Sequence, residues 1–238
     1  MHVDACWGGA ALLSAKRRHW MSGIERSDSM AWSLHKMVAS PLQCCPFVTK
    51  HVGLLKKCHA AGASYLFQSD KNYDVSQDVG DKAITCGRKA DALKIWFIWK
   101  SKGDRRLGME IEHTFELAEY FEGKVKETEG FRLVHDGGIQ CTNVCFWYIP
   151  ARFRAVPDVE SSSWWNEVGR VAPYIKKRMM ERGTMLIGYQ PLGDKPNFFR
   201  LVITRKPNLT TDHMDAIIDE IRILGEEYPG DGKSTGHV

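Results

Sequence analysis

From about residue 104 onward the apolar positions fall on regular periods. Ile111, Phe115, Ala118, Phe121 and Val125 recur every three or four residues, which predicts an amphipathic helix. Residues 131–134 and 143–149 read as strands, the second so uniformly apolar and aromatic that it must be covered on both faces. Trp164, Val168, Val171, Ile175 and Met179 mark a second helix, stopped near Gly183. Residues 184–189 and 198–204 read as two more strands. Thr211 reads as the N-cap of a last helix carrying Met214, Ile217, Ile218, Ile221 and Leu224. The order helix–strand–strand–helix–strand–strand–helix predicts a small sheet with helices on one side.

Residues 1–100 alternate short apolar stretches with loops and hold no helical period until 91–100. Residues 41–50 read as a buried strand after a turn. Residues 63–82 are polar, rich in Asp and Tyr, and follow neither period; so long a loop is either disordered or a functional lid. The pattern changes near Gly103, which divides the chain into 1–103 and 104–225. The Gly/Pro/Lys-rich stretch 226–238 is expected to be a disordered tail. No internal repeat is present.

Composition narrows the class. A hydrophobic fraction of 43% and a charged fraction of 26% over 238 residues are those of an ordinary soluble globular protein. The net charge of +4 is spread along the chain and leaves no nucleic-acid footprint; pairs such as Lys176-Lys177 read as solvated helix faces. No apolar run reaches membrane-spanning length and no basic-then-apolar segment opens the chain, so neither a membrane nor a secretory route is expected. The seven cysteines contain no C-x-x-C pair, which points to free thiols in a reducing compartment, without zinc or another metal. The expected location is cytoplasmic.

Three short runs carry candidate chemistry: His2-Val3-Asp4, Ser33-Leu34-His35-Lys36 and Asn197-Phe198-Phe199-Arg200. Together they offer an amine able to form a Schiff base, an acid for a pyridine nitrogen and a cation for a substrate carboxylate. Each has a plainer reading. A lysine after a strand is usually a surface residue, and His35 beside it either contacts a phosphate or caps a turn. Asp4 before the bend at Gly8-Gly9 suits a turn equally well. Arg200 inside an apolar strand needs an anion, and a structural ion pair serves as well as a ligand. Two other patterns are set aside. Gly232-Lys233-Ser234-Thr235 imitates the end of a P-loop but position 227 is Glu, and Asn208-Leu209-Thr210 is a sequon without a secretory context.

Longer stretches carry a resemblance. His2-Val3-Asp4-Ala5-Cys6-Trp7-Gly8-Gly9 and His35-Lys36-Met37 resemble the pyridoxal-dependent group II decarboxylases. Tyr65-Leu66-Phe67-Gln68, Gly80-Asp81-Lys82 and Cys86-Gly87-Arg88 resemble the glutamate, cysteine-sulfinate and aspartate branch of that family. Thr142-Asn143-Val144-Cys145-Phe146-Trp147-Tyr148-Ile149-Pro150, Gly188-Tyr189-Gln190-Pro191 and Asn197-Phe198-Phe199-Arg200 agree. The likeness runs from Met1 to about Gly225.

The resemblance implies an α/β protein corresponding to the C-terminal half of a fold-type I enzyme. Residues 1–103 would be part of the large cofactor-binding domain with its catalytic loop, and 104–225 the small α+β domain. It implies pyridoxal 5′-phosphate as cofactor, with Lys36 as the lysine that carries it and Asp4 as partner of the pyridine nitrogen. Cys6 would pack on the ring, His35 would lie near the phosphate, and Ser33 stands where the family has Asn. Tyr65 would protonate Cα from a mobile loop, Gly87 would approach the cofactor of a second subunit, and Arg200 would bind the substrate α-carboxylate. The implied assembly is a homodimer. The implied reaction is α-decarboxylation of a small acidic amino acid, with aspartate or cysteine sulfinate favoured and glutamate open. Family members are roughly twice as long, so the ring-stacking histidine and most phosphate ligands are expected in a segment before Met1. The alternative reading is a non-catalytic family remnant acting only through the dimer interface.

Overall fold

The computed structural model describes residues 1–85, 87, 90–156 and 159–230. The chain divides into two compact units, Met1–Ile111 and Glu112–Val238.

In the first unit, β1 (His2–Asp4) pairs in parallel with β2 (Ser29–Ala31), and β2 pairs antiparallel with β3 (Phe47–Thr49). Parallel neighbours require a crossover. Here it is made of three short 3₁₀ turns, Gly8–Leu13, Arg18–Met21 and Ile24–Arg26. Ala10 and Ala11 of the first turn are buried, as are Leu34, Met37 and Val38 after β2. Gly9 is required where it stands, because a Cβ there would lie 2.9 Å from the Trp32 ring. The expected buried strand over 41–50 is corrected: only Phe47–Thr49 pairs, and Phe47 and Val48 are 41% and 55% exposed. Pro46 has no N–H to donate, which ends the regular ladder at Phe47, although its carbonyl still accepts from the Trp32 N–H.

Helix α1 (Leu54–His59) leads into the polar stretch 63–82. That stretch is neither strand nor long helix, yet it is tied down locally. Lys71 pairs with Asp78 at 2.7 Å, the Asp74 side chain accepts from the Ser76 N–H, and the Ala61 N–H donates to Asp81 Oδ1. Helix α2 (Asp91–Glu127) follows and is interrupted at Gly103, whose φ of 68° and ψ of 168° are not helical. The interruption coincides with the change of pattern in the sequence.

The second unit is an antiparallel sheet in the order β4 (Phe131–Leu133), β5 (Asn143–Tyr148), β7 (Lys195–Val202), β6 (Gly188–Leu192). The short α3 (Ala151–Arg154), then α4 (Ser162–Arg182) and α5 (Thr211–Glu226), complete it. Strand alternation sorts the side chains. Val144, Phe146, Tyr148, Phe199 and Leu201 form one core with Phe121 and Val125 of α2, Ile175 and Met179 of α4, and Ile218 and Ile221 of α5. Trp147 and Phe198 have the opposite parity and pack with Trp164 and Val168 from the first turns of α4. All five residues that predict α4 are buried, as are the five that predict the helical run through Val125.

Strand β6 starts later than Thr184. Gly183 caps α4 in the left-handed region, and the Thr184 N–H still donates to the Met179 carbonyl, so the chain is not extended until Gly188. β6 and β7 are joined through Gly193-Asp194, with Gly193 at φ 57°, a two-residue hairpin that brings Lys195 opposite Leu192. Thr210, not Thr211, is the N-cap of α5, its N–H donating to His213 Nδ1 at 3.3 Å. The stretch expected to be a loose tail is ordered at its start. Glu226 accepts from the Tyr148 hydroxyl and the Ala151 N–H, Glu227 pairs with Arg182 at 2.6 Å, and Tyr228 is buried against Phe153 and Tyr174. Residues 231–238 lie outside the described residues.

A Cβ at Gly225 would sit 2.2 Å from the Tyr148 ring. Gly225→Ala is expected to force α5 off the sheet and strain the Tyr148–Glu226 bond, at a cost of about 1–3 kcal/mol. Thermal unfolding followed by near-ultraviolet dichroism checks this; a midpoint equal to that of the parent chain would show that α5 does not seat on Tyr148 this closely.

Candidate active site

Parallel pairing sets Asp4 opposite Ala31 at the C-terminal ends of β1 and β2. Beyond those ends both segments turn. On one side the Cys6 N–H donates to Asp4 Oδ1 at 3.0 Å. On the other, residues 33–40 fold into a tight turn, with the Lys36 N–H donating to the Ser33 carbonyl and the Ser40 N–H to the Leu34 carbonyl. Leu34, Met37 and Val38 anchor this turn in the core, which leaves His35 and Lys36 half-buried. The C-terminal end of parallel strands is where open α/β sheets place their ligands.

Asp4 and Cys6 modulate each other. Hydrogen bonds from the Cys6 thiol and N–H, followed by the charges of Lys36 and His2, hold the Asp4 carboxyl below the usual carboxylate range. For Cys6 the Ser33 hydroxyl favours the thiolate, but the bond to Asp4, burial, and the nearby Cys45 and Asp4 outweigh it and push the thiol up. Ser33 is shared, since its Oγ also lies 3.3 Å from Cys45 Sγ. His35 Nδ1 lies 2.9 Å from the Cys44 carbonyl and 3.2 Å from its N–H, so that nitrogen is occupied by backbone and only Nε2 remains for another partner.

The structure thus brings Asp4, Cys6, Ser33, His35 and Lys36 into one cluster, and adds Cys45. In the sequence, only its place beside Cys44 marks Cys45. Tyr65 is not part of this cluster: it is 82% exposed, in a turn closed by the Leu66 and Phe67 N–H groups on the Ala63 carbonyl. Gly87 is exposed, with nothing within 4 Å of where a Cβ would be. Its neighbours Cys86 and Arg88 lie outside the described residues.

Arg200 belongs to the second unit. It faces away from the helix-covered core, opposite Cys145 in register, and its guanidinium donates to Gln190 Oε1 at 3.3 Å. Burial pushes the Cys145 thiol up, against the Asn143 hydrogen bond and the Arg200 charge. Arg200 and Gln190 line a cleft of about 480 Å³ together with His135, Gln140 and Asn143. Arg200 is exposed, so its place in an apolar strand does not by itself require an anion.

A protein of this fold with an acid and a lysine at adjacent strand ends is a candidate for aldehyde-cofactor chemistry, and the comparisons with known proteins define the class. Residues 1–149 match the model of the pyridoxal-dependent decarboxylase conserved domain. The chain belongs to the group II pyridoxal phosphate-dependent decarboxylases. Among solved structures it is similar to mouse cysteine sulfinate decarboxylase, at 42% identity and a TM-score of 0.87 over 95% of this chain and 46% of that one. It is also similar to Catharanthus roseus tryptophan decarboxylase in complex with L-tryptophan, at 26% identity and a TM-score of 0.74 over 95% and 44%. A third structure, Oryza sativa TDC with PLP and tryptamine, shares the fold at 22% identity and a TM-score of 0.78 over 95% and 44%. The chain therefore spans less than half the length of these solved proteins, and its mixed α/β architecture is that of about half of a fold-type I decarboxylase.

The family uses pyridoxal phosphate, and the donor set fits two parts of that group. Asp4, kept ionised by Cys6, suits a protonated pyridine nitrogen, and the half-buried Lys36 amine suits the aldehyde. Among the described residues no three His, Cys, Asp or Glu side chains converge as a metal site, and no helix is long and apolar enough to cross a membrane.

The mutual effect of Asp4 and Cys6 has a sign that can be measured. Asp4→Asn removes the negative partner, so the Cys6 thiol should titrate at lower pH and be alkylated severalfold faster at pH near ~8. Peptide mapping with iodoacetamide, using the exposed Cys58 as internal reference, reads the rate; an unchanged Cys6 rate would contradict the Asp4–Cys6 bond.

Proposed function

We propose that this chain supplies the cofactor lysine, the pyridine acid and the carboxylate clamp of an acidic amino acid α-decarboxylase, with cysteine sulfinate or aspartate as favoured substrates. The observation that carries the reading is that Asp4 and the turn holding Lys36 both follow the C-terminal ends of two paired parallel strands. The relation to mouse cysteine sulfinate decarboxylase supports the substrate class, with glutamate as the third member.

Pyridoxal phosphate, when bound, supplies an electron sink for the pair left as a carboxylate departs as CO₂. The residues of this chain do the rest. Lys36 Nζ would hold the aldehyde, and Asp4 would pair with a protonated pyridine nitrogen. Cys6 and Ser33 would border the same space, and His35, its Nδ1 engaged by the Cys44 backbone, would have Nε2 left for the phosphate. Arg200 holds the substrate α-carboxylate through its guanidinium fork. Tyr65, on its exposed turn, delivers a proton to Cα once that turn closes and excludes water. Gly87 serves the site of a second subunit, so the working unit is a homodimer in the cytoplasm.

A second reading is a subunit that keeps the family's pairing surface without turnover. The exposed β3 residues Phe47 and Val48 favour it, because such surface is usually covered by another chain or segment.

Incubation with pyridoxal 5′-phosphate followed by borohydride should fix a phosphopyridoxyl group on Lys36, found by peptide mapping and lost in Lys36→Ala. Release of labelled CO₂ from carboxyl-labelled cysteine sulfinate, aspartate and glutamate then ranks the substrates. A label elsewhere than Lys36 would sink the lysine assignment. A Lys36 label without CO₂ from any of the three would decide for the second reading.

A further inference from the structure

Lys94, near the start of α2, spends all of its ammonium donors on acceptors within the first unit. Its Nζ donates to the Leu42 carbonyl at 3.0 Å, the Gln43 carbonyl at 2.8 Å and Asp91 Oδ1 at 2.7 Å. An ammonium has three protons and no lone pair, so the set is complete. The pair with Asp91 is ordinary for residues three apart on a helix. The two carbonyls are not, because they lie 52 and 51 positions earlier in the chain. Leu42 is 73% exposed, so its side chain does not anchor that stretch.

The stretch so held is the return from the turn that carries Lys36. Its next residue, Cys44, meets His35 twice: the His35 N–H donates to the Cys44 carbonyl at 3.3 Å, and the Cys44 N–H donates to His35 Nδ1 at 3.2 Å. Cys44 is fully buried, and its Sγ donates to the Asp91 carbonyl at 3.8 Å. Residues 42, 43 and 44 are therefore all tied to the start of α2, and the third of them holds the His35 ring. A separate tie does not involve Lys94. The Trp32 and Trp99 rings meet edge-on at 6.3 Å, and the Trp32 N–H donates to the Pro46 carbonyl at 3.0 Å.

We propose that Lys94 is a positioning residue for the cofactor site, fixing the backbone of 42–43 and, through Cys44, the His35 ring beside Lys36. Lys94 is to touch neither cofactor nor substrate. Without its ammonium the Leu42 and Gln43 carbonyls turn to water, which is easily reached on this exposed stretch. The Cys44 thiol, a weak donor, then remains as the bond from this stretch to Asp91. His35 Nδ1 loses its stationary partner, and the ring loses its single orientation. The effect falls on how firmly the phosphate end is held, not on the capacity of the Lys36 amine to react. That consequence rests on the reading of Lys36 and His35 given under the proposed function; the clamp itself does not.

Two variants separate the clamp from the helix pair. Lys94→Met keeps the length of the side chain and removes its donors, while Asp91→Asn removes the ion pair and leaves both carbonyl bonds. The Trp32–Trp99 contact keeps α2 in place, so the thermal midpoint of Lys94→Met should stay close to that of the parent chain. In Lys94→Met, buried Cys44 should be alkylated by iodoacetamide severalfold faster relative to exposed Cys58, and the amides of 40–46 should exchange faster. Asp91→Asn should leave both readings near those of the parent. Borohydride fixation over a range of pyridoxal 5′-phosphate concentrations should show severalfold more cofactor needed for half-maximal label on Lys36 in Lys94→Met, with the same final level. An unchanged Cys44 rate and exchange in Lys94→Met, or equal loosening in Asp91→Asn, would overturn the clamp. Loosening with an unchanged half-maximal concentration would overturn its role for the cofactor. A parent chain that takes no label on Lys36 at any concentration would instead fail the assignment of Lys36, and the Cys44 rate would still decide whether Lys94 holds the segment.

Discussion

Parallel pairing of His2–Asp4 with Ser29–Ala31 places an acid beside a lysine that is 32 positions away in sequence, and the site depends on its register. A slip of one residue would turn Asp4 to the other side of the ribbon and bring Val3 in its place. Two contacts fix the register: His2 Nδ1 lies 2.8 Å from Ser29 Oγ, and the Ala5 N–H extends the ladder to the Ala31 carbonyl. Once it is fixed, the two exits are determined. Gly9 lets the first pass under Trp32, and Leu34, Met37 and Val38 seat the second. Lys36 follows in the turn so anchored, although it is not itself in a strand.

The second unit works by a different means. Its core is deep: Phe146, Phe199, Phe121 and Ile175 are fully buried, and the Phe146 and Phe199 rings stack at 5.5 Å. Burial of such side chains contributes about 2 kcal/mol each before entropy is counted. This packing fixes the strand that carries Arg200. The residue sits on β7, flanked by β5 and β6, and alternation within a paired strand leaves its side chain one direction. Functional groups on paired strands are held more closely than groups on loops. Among the residues proposed for the site, Arg200 on its paired strand and Tyr65 on an exposed turn are the two cases.

Legibility in the sequence follows the strength of the period. The helices of the second unit are readable because five apolar residues at helical spacing leave few alternatives, and all of them are buried except Ile217, which is partly covered. The start of β6 is not readable to within several residues because the deciding signals are local: a left-handed Gly183 that prolongs the helix cap and a Gly193-Asp194 turn that sets the hairpin. β3 reads as buried because its apolar residues carry no record of being at an edge. For the site, Asp4 and Lys36 are legible only through resemblance, since three-residue strands have too few positions for any period. Cys45 is not legible at all. Its approach to Ser33 depends on the path of a proline-bounded loop, which no spacing encodes.

The electrostatics of Asp4 separate function from stability. A carboxyl depressed in the folded chain stabilises the fold above its ordinary titration range, and that contribution is lost as pH falls through the depressed value. Asp4 is exposed, however, and its distant charges are screened by water and salt. The groups that remain effective are the ones in direct contact, namely the Cys6 N–H and thiol. An exposed carboxylate with two dedicated donors does little for folding that a turn-forming Asp would not do with one. The pair of donors makes sense if a cation must be met there, and a protonated pyridine nitrogen is such a cation. Cys6, rather than any remote charge, is then the residue through which the acid can be altered.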